Sequence, residues 1–435
     1  MKKIFSILLL VILTLQLSTA QETELFTQLK QLRNTEVTKI ENTIFSEAYV
    51  LMVSQPVDHS KPGMENFKQR VFLFLRDTKA PVVFVTEGYA AHYAARKNFN
   101  LELATLLNSN VVVVEHRNFG KSVADTITWK TMTVEQSAAD HHAIRELLKP
   151  VFPGKWVSTG VSKGGQTALY YKAYYPNDVD ATVAYVAPIN FAVEDTRVTS
   201  HLVTVSTKEC RDKIQEYQTR LLKNKDYFVP AFTDHCAKNN FNLLLPPAVV
   251  FDYEVLEYPF SFWQYGTPCD SIPAQNASNE KLLEHLLEVV TPFYYSKKGY
   301  DQFKPFFYQA NYELGYYGYD ETPFKSYLEQ ADYKNTIWAP SGKIMPYKAE
   351  TLKFVNDFLQ NRGDRIIYIY GEYDPWSASQ VNLTGKTDAL KVVIAKGNHS
   401  ANIAKMDAAQ RQQVYNLLEK WMSCKISYPQ HSMVQ

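Results

Sequence analysis

The chain has 435 residues, of which 46% are hydrophobic and 21% charged, and its net charge is +1. This length is enough for one large domain carrying an insertion, or for two domains. The mixed charge leaves no basic tract for nucleic acid, and no segment beyond the N-terminus is long and apolar enough to span a membrane.

The N-terminus has the three parts of a secretory signal peptide. Lys2 and Lys3 precede an apolar run over residues 4–13, and small residues lead to Ala20. We expect cleavage after Ala20, because the apolar run is too short to span a bilayer. No cysteine follows the cut, so a lipid anchor is not expected. The mature protein is therefore predicted to be soluble and either secreted or periplasmic, with residues 1–20 removed.

Extended and helix-like segments alternate through the first half of the chain. The extended segments cover residues 48–55, 70–75, 81–85, 110–115, 155–158 and 181–187. Thr133 and Gln136 form a capping box ahead of a helical segment at 138–148. The alternation returns at 365–370 and 390–395, and a last helix has apolar residues at 414, 417, 418 and 421. Strands alternating with helices indicate an α/β fold with a mainly parallel sheet.

The middle of the chain interrupts this alternation. Residues 194–347 are helix-like, rich in Lys and Glu, and dense in aromatic residues. We interpret them as a helical cap inserted between two parts of one core, 21–193 and 348–435. Such a cap would lie over the carboxyl ends of the strands, where open α/β sheets bind ligands. Most of its aromatic side chains are expected in the cap interior and some in a substrate cleft.

Four cysteines are far apart and lack the close pairs of a zinc site: Cys210, Cys236, Cys269 and Cys424. In an oxidising compartment they could form disulfides, and Cys210 with Cys236 is the most local choice. Free, buried thiols are an equal alternative.

Gly160-Val161-Ser162-Lys163-Gly164 stands between the extended segment at 155–158 and a helical one at 165–174. A G-x-S-x-G sequence on a strand-to-helix turn holds its serine in an exposed elbow, beside the free N–H groups of the helix start. Ser162 is therefore the candidate nucleophile.

A serine nucleophile needs a base, and the base needs an orienting partner. His399 directly follows the last predicted strand, and Asp374 follows the strand before it. The chain order Ser, Asp, His is the one found on sheets of this kind. We predict that His399 takes the proton of Ser162 and that Asp374 orients His399.

The oxyanion formed in such a reaction needs N–H donors already in place. The N–H of Lys163 is the first candidate. The second is the N–H of Tyr89, in the loop after the strand at 81–85, with the N–H of Gly88 as its alternative. A polar turn at 115–122 is predicted to form buried ion pairs beneath the site.

These motifs resemble those of a known family. Residues 160–165, 371–376 and 397–403 together resemble the secreted bacterial tripeptidyl aminopeptidases of the α/β-hydrolase clan. Residues 115–122 and 133–136 are also similar to the lysosomal Pro-Xaa carboxypeptidase and dipeptidyl-peptidase group. The likeness runs from about residue 50 to 421. It implies an α/β-hydrolase fold with a large helical cap.

The same resemblance implies a serine exopeptidase that removes short peptides from free N-termini, with Ser162, Asp374 and His399 as its triad. It implies no metal and no organic cofactor. Such an exopeptidase needs a negative group to hold the α-ammonium of its peptide substrate. Glu87 is the candidate, and Glu115 and Glu372 are alternatives on neighbouring loops.

Other functions fit parts of the pattern. A dipeptidyl- or prolyl-type peptidase would use the same triad, and so would an esterase or lipase on the same fold. A non-catalytic binding protein of the cell envelope is a further alternative. The presence of all three triad residue types favours an enzyme over that binding protein.

Overall fold

The computed structural model describes residues 23–125, 127–340 and 346–427. The signal peptide predicted at residues 1–20 lies outside this part of the chain. Nine strands of the described residues form one sheet: β1 (Thr35–Ile40), β2 (Glu47–Pro56), β3 (Asn66–Leu75), β4 (Val82–Thr86), β5 (Asn110–Val114), β6 (Trp156–Val161), β7 (Ala181–Tyr185), β8 (Ile366–Gly371) and β9 (Ala389–Ile394).

The strand order across the sheet is β1-β2-β3-β5-β4-β6-β7-β8-β9. The first three strands and the β3–β5 pair are antiparallel. From β5 to β9 every neighbouring pair is parallel. Because parallel strands end at the same edge, the loops after β4, β6, β8 and β9 lie together there.

Helices cover both faces of the sheet because its central strands are apolar on both faces. Along β4, Val83 and Val85 pack on one side, and Val82 and Phe84 pack on the other. The helices outside residues 194–347 are α1 (Glu24–Lys30), α2 (Glu102–Leu106), α3 (Val134–Leu148), α4 (Lys163–Tyr174), α11 (Ala349–Asn361) and α12 (Ala408–Met422). Helices α2 and α12 pack on the side of Val83 and Val85. Helices α3 and α4 pack on the side of Val82 and Phe84.

A helical segment fills most of the connection between β7 and β8 and has its own hydrophobic core. Its helices are α5 (Thr196–Leu202), α6 (Lys208–Lys223), α7 (Lys225–Lys238), α8 (Pro247–Tyr265), α9 (Asn279–Val289) and α10 (Lys297–Gln309). Tyr217, Phe251 and Leu286 are fully buried in that core. The segment therefore packs as a second layer on the sheet core.

The cysteine pairing differs from the most local choice. Cys210 forms a disulfide with Cys269, and Cys236 and Cys424 are free. The Cys210–Cys236 pairing is therefore wrong. Sequence proximity misled because α8 returns the chain to the start of α6, where Cys269 meets Cys210.

The prediction of a mainly parallel sheet in an α/β-hydrolase fold is confirmed, with antiparallel strands at one edge and a strand-to-helix elbow after β6. Across the described residues, no helix has both the length and the apolar character needed to cross a bilayer.

Candidate active site

The predicted nucleophile, Ser162, lies in the tight turn between β6 and α4. Its φ of 56° is in the left-handed region, which costs a residue other than glycine about 1–3 kcal/mol. The N–H of Ser162 donates to the carbonyl of Tyr185 at 2.9 Å, and its carbonyl accepts from the N–H of Gln166 at 2.9 Å. These bonds hold a strained elbow that presents a partly exposed hydroxyl at the carboxyl edge of the sheet.

Asp374 and His399 form a hydrogen-bonded pair. The Nδ1 atom of His399 lies 3.0 Å from each carboxylate oxygen of Asp374. Asp374 is fully buried, and its Oδ2 also accepts from the Ser377 hydroxyl at 2.7 Å. Because a carboxylate only accepts hydrogen bonds, Nδ1 is the donor, and Nε2 of His399 is left to take a proton.

Gly371 lets the two loops that carry this pair touch. A Cβ atom at Gly371 would lie 2.5 Å from the carbonyl oxygens of both Gly397 and Asn398. No side chain fits there without moving backbone. The loop after β8 therefore lies directly against the loop after β9, which brings Asp374 to His399.

Ser162 and the Asp374–His399 pair lie at the same edge of the sheet, because β6 and β8 both run parallel to β7 between them. The N–H of His399 donates to the carbonyl of Gln264 at 3.1 Å. Gln264, Trp376 and Ser162 all line one cavity. Among the described residues, no hydrogen bond joins the Ser162 hydroxyl to His399.

The loop after β4 packs on the start of α4. A Cβ atom at Gly88 would lie 2.7 Å from the Cβ of Lys163 and 2.8 Å from the nitrogen of Gly164. The first N–H groups of α4 have no partners within the helix. The predicted oxyanion donors, the N–H groups of Lys163 and Tyr89, therefore belong to two segments in direct contact.

The side chain of Lys163 fastens these two segments together. Its ammonium nitrogen donates to the carbonyl of Gly88 at 2.7 Å and lies over the rings of Tyr89 and Phe119, at 5.3 and 5.4 Å from their centroids. Only 3% of Lys163 is exposed. Burial lowers the pKa of Lys163 to about 7. The lysine beside Ser162 thus faces inward and holds the loop after β4 against the start of α4.

The three carboxylates predicted as alternative anchors for a substrate ammonium already have partners. Glu87 accepts a hydrogen bond from the Tyr93 hydroxyl, and burial raises the pKa of Glu87 to about 7. Glu115 is buried and paired with Arg70. Glu372 accepts a backbone N–H from the loop after β9 at 2.7 Å. None of the three is among the described residues that line the cavity beside Ser162.

The polar turn at 115–122 forms the buried ion pairs expected from its sequence. Besides the Glu115–Arg70 pair, Arg117 donates to Asp140 at 2.6 Å. Burial and the nearby Lys163 charge hold the pKa of His116 well below its usual range. This network supports the loops after β4 and β5 from below.

A cavity of about 420 Å³ opens beside Ser162, within the roughly 300–1,000 Å³ range of small-ligand sites. Its walls are largely aromatic and come mainly from the helical segment, with Tyr89, Tyr294, Phe303, Phe306, Tyr316 and Trp376 among them. It also holds a carboxylate that was not predicted, Glu257 on α8. The sequence contains a weak signal for it: positions 257, 261 and 264 are polar and share one face of a mostly apolar helix.

Comparisons with known proteins identify the family of this chain. The chain matches the family model described as PS-10 peptidase S37 over residues 31–430. It is 31% identical over 382 residues to the prolyl tri/tetrapeptidyl aminopeptidase of Streptomyces mobaraensis, covering 86% of this chain and 79% of that one. The lysosomal Pro-X carboxypeptidase of Bos taurus is 27% identical over 164 residues, 34% of this chain and 33% of that protein.

A crystal structure of a proline iminopeptidase from Mycobacterium smegmatis is a more distant neighbour. It covers 89% of this chain and 99% of its own at 11% identity, with a TM-score of 0.34. The family assignment rests instead on the match to the family model, which spans nearly the whole chain. The chain belongs to the PS-10 peptidase S37 family and is a serine peptidase.

Proposed function

We propose that this peptidase is exported and releases short peptides, chiefly tripeptides, from free N-termini. The observation that carries the proposal is the strained Ser162 elbow at the same sheet edge as the Asp374–His399 pair, beside a cavity of short-peptide size. The Streptomyces relative, a prolyl tri/tetrapeptidyl aminopeptidase, supports this substrate class.

In the proposed mechanism, Ser162 Oγ attacks the carbonyl carbon of the scissile peptide bond. The Nε2 atom of His399 takes the hydroxyl proton, and Asp374 stabilises the imidazolium that forms. The bond between Ser162 and His399 would tighten when substrate binds, as catalytic hydrogen bonds commonly do.

The oxygen of the tetrahedral intermediate would be held by the N–H groups of Lys163 and Tyr89. Collapse of the intermediate breaks the C–N bond, and the leaving amine takes the proton from His399. The acyl group then remains on Ser162 Oγ. Water attacks this ester by the same route, and the released peptide carries the new carboxylate.

The domain arrangement fits this reaction. In our proposal, residues 194–347 act as a cap over a core formed by 21–193 and 348–435, and residues 1–20 direct export. The cap supplies most of the cavity wall, so it would limit the length of peptide that enters. Glu87 is the predicted ammonium-binding residue, whereas Glu257 is a carboxylate that lines the cavity itself.

The proposal is tested with Ser162→Ala. We expect kcat on a tripeptidyl anilide to fall by roughly 10⁴- to 10⁶-fold, since the nucleophile is lost. The melting temperature should not fall, because the hydroxyl makes no hydrogen bond to a described residue. A fluorophosphonate probe should label the wild-type enzyme at Ser162. Retained activity in the variant, or a label on another residue, would refute the nucleophile assignment.

An esterase is the second candidate, favoured by the aromatic cavity wall. A digest of a peptide library with free and acetylated N-termini separates the two candidates. An aminopeptidase cleaves the free peptides and spares the acetylated ones. Equal cleavage of both sets would exclude N-terminal specificity, and ester turnover without peptide cleavage would favour the esterase. The same digest would identify a dipeptidyl- or prolyl-type peptidase by its products.

A further inference from the structure

Glu257 projects from α8 into the cavity that holds Ser162. Its Oε2 accepts hydrogen bonds from the hydroxyls of Tyr317 at 2.7 Å and Tyr319 at 3.0 Å. No described residue donates to its Oε1, and no described Lys, Arg or His forms an ion pair with Glu257. The carboxylate is therefore oriented by two tyrosines and keeps one oxygen free toward the cavity.

This carboxylate lacks a countercharge. Removing a carboxylate from water without a cationic partner is costly, and burial accordingly raises the pKa of Glu257 to about 7. A cation entering the cavity would relieve that cost and favour the ionised form. The tyrosine hydroxyls already donate to Oε2, as they would to a carboxylate that holds a cation through its other oxygen.

The neighbouring carboxyl group on the same helix offers a contrast. Glu254 is one turn earlier, fully buried, with both oxygens unpartnered and outside the cavity wall. Burial and the nearby Glu257 charge raise the pKa of Glu254 well above its usual range. Glu254 and Glu257 thus differ in access to the cavity while sharing residue type and helix.

Helix geometry gives the axial separation between Glu257 and the part of α8 that contacts the loop of His399. Glu257 and Gln264 both line the cavity, and seven residues of α-helix advance about 10 Å along the axis. The carbonyl of Gln264 accepts the N–H of His399, so this end of α8 touches the triad loop. About 10 Å is also the length of three extended residues, at roughly 3.3–3.6 Å each.

We propose that Glu257 binds the α-ammonium of the substrate and that its distance along α8 sets cleavage after the third residue. This inference rests on the proposed function and deepens it. An ammonium at Oε1 would place the third carbonyl of an extended peptide beside Ser162, while a longer N-terminal segment would meet the tyrosines behind Glu257.

The first test compares Glu257→Gln with Glu254→Gln as the matched control. The substrates are Ala-Ala-Pro p-nitroanilide and its N-acetylated form. For Glu257→Gln we expect KM on the free peptide to rise roughly 10- to 100-fold, the loss of one charged hydrogen bond, with a smaller change in kcat. The preference for the free over the acetylated substrate should disappear. Glu254→Gln should keep the wild-type KM and preference.

Fluorophosphonate labelling shows whether each variant keeps a working elbow. Glu257→Asp provides a second reading, because it keeps the charge and should retain the preference for free N-termini. A persisting preference in a Glu257→Gln enzyme that still takes the label would overturn the inference. The inference would also be overturned if Glu257→Asp lost the preference for free N-termini. It would be overturned as well if Glu87→Gln, and not Glu257→Gln, abolished that preference. Wild-type enzyme that takes the label but cleaves both substrates equally would refute the proposed function itself.

The second test measures the register. Mass spectrometry of products from unblocked peptides of eight residues should show tripeptides as the first product. Dipeptides or single residues as the main first product would overturn the distance argument, even if Glu257 proves to be the ammonium site. Calorimetry measures the binding of Ala-Ala-Pro to Ser162→Ala and to the double variant that also carries Glu257→Gln. The ratio of the two dissociation constants should match the ratio of KM values, and it is obtained without turnover.

Discussion

At the scale of single residues, the inward orientation of Lys163 is the least expected feature of the site. A lysine directly after a nucleophile could face the solvent or the substrate. Here its ammonium donates to the Gly88 carbonyl and lies over two aromatic rings. The cation–π contacts partly replace lost hydration, and the side chain couples the elbow to the loop that carries Tyr89.

Lys163→Met should change how stability depends on pH. The folded pKa of Lys163 is about 7, while the unfolded value is near 10.5. Between these values the unfolded chain binds more protons, so this group makes the free energy of unfolding increase as pH rises. From pH 7 to pH 9, the melting temperature of the wild type should therefore rise relative to that of Lys163→Met. Lys420→Met, on the surface, is the control variant. A difference between wild type and Lys163→Met that stays constant from pH 7 to 9 would contradict the lowered pKa of Lys163.

The sequence predicts Ser162, Asp374 and His399 as a triad because each follows an apolar strand and has a recognisable turn around it. It does not predict Glu257. A single glutamate in an aromatic helix has no motif, and its significance depends on which face of α8 lines the cavity. Residue type and chain order predict a mechanism, whereas the choice among several glutamates requires the packing of the helical layer.

At the scale of elements, the strand boundaries were mostly predictable. β4 is Val82–Thr86 where 81–85 was expected, and β7 is Ala181–Tyr185 where 181–187 was expected. These strands are buried on both faces and so appear as continuous apolar runs. β1 was not predicted, because it is an edge strand with largely polar, exposed residues. Hydrophobic patterning is weak where a strand has little core contact.

The predicted capping box is half formed. The Thr133 hydroxyl accepts the N–H of Gln136 and begins α3 there, as expected. The Gln136 side chain, however, contacts Asp58 and His59 instead of returning to the N-cap. A local motif predicted the helix start correctly, while a long-range contact decided the second hydrogen bond.

Gly371→Ala tests the contact between the loops after β8 and β9. The added Cβ would stand 2.5 Å from two carbonyl oxygens, so one loop must move by several tenths of an ångström. Displacement of the Asp374–His399 pair on that scale should lower kcat by roughly 10²-fold. Kinetic assays of Gly371→Ala and Gly63→Ala provide the comparison, because a Cβ at Gly63 has nothing within 4 Å. Full activity in Gly371→Ala would show that the loops tolerate separation.

At the scale of the whole molecule, the Cys210–Cys269 disulfide joins two parts of the helical layer. The bond joins the start of α6 to the segment just after α8, across 59 residues. Closing a loop of that length stabilises a chain by roughly 4 kcal/mol in the entropic account. An oxidising compartment would preserve it, in agreement with the proposed export.

Cys269→Ser should therefore weaken the helical layer before the sheet core. We expect a lower melting temperature and a raised KM, because the end of α8 lines the cavity and is no longer held to α6. A reductant should produce the same change in the wild-type enzyme and none in the variant. Cys424→Ser, which leaves the disulfide intact, is the control. Identical melting curves for wild type and Cys269→Ser would show that the disulfide adds no stability.

The wall formed by α8 has an evolutionary consequence. If the carboxylate and the nucleophile are held by separate layers, a single helical turn gained or lost in α8 would lengthen or shorten the excised fragment by one to two amino acids. Enzymes with different product sizes could then diverge by insertions in one helix, with no substitution at the reacting atoms.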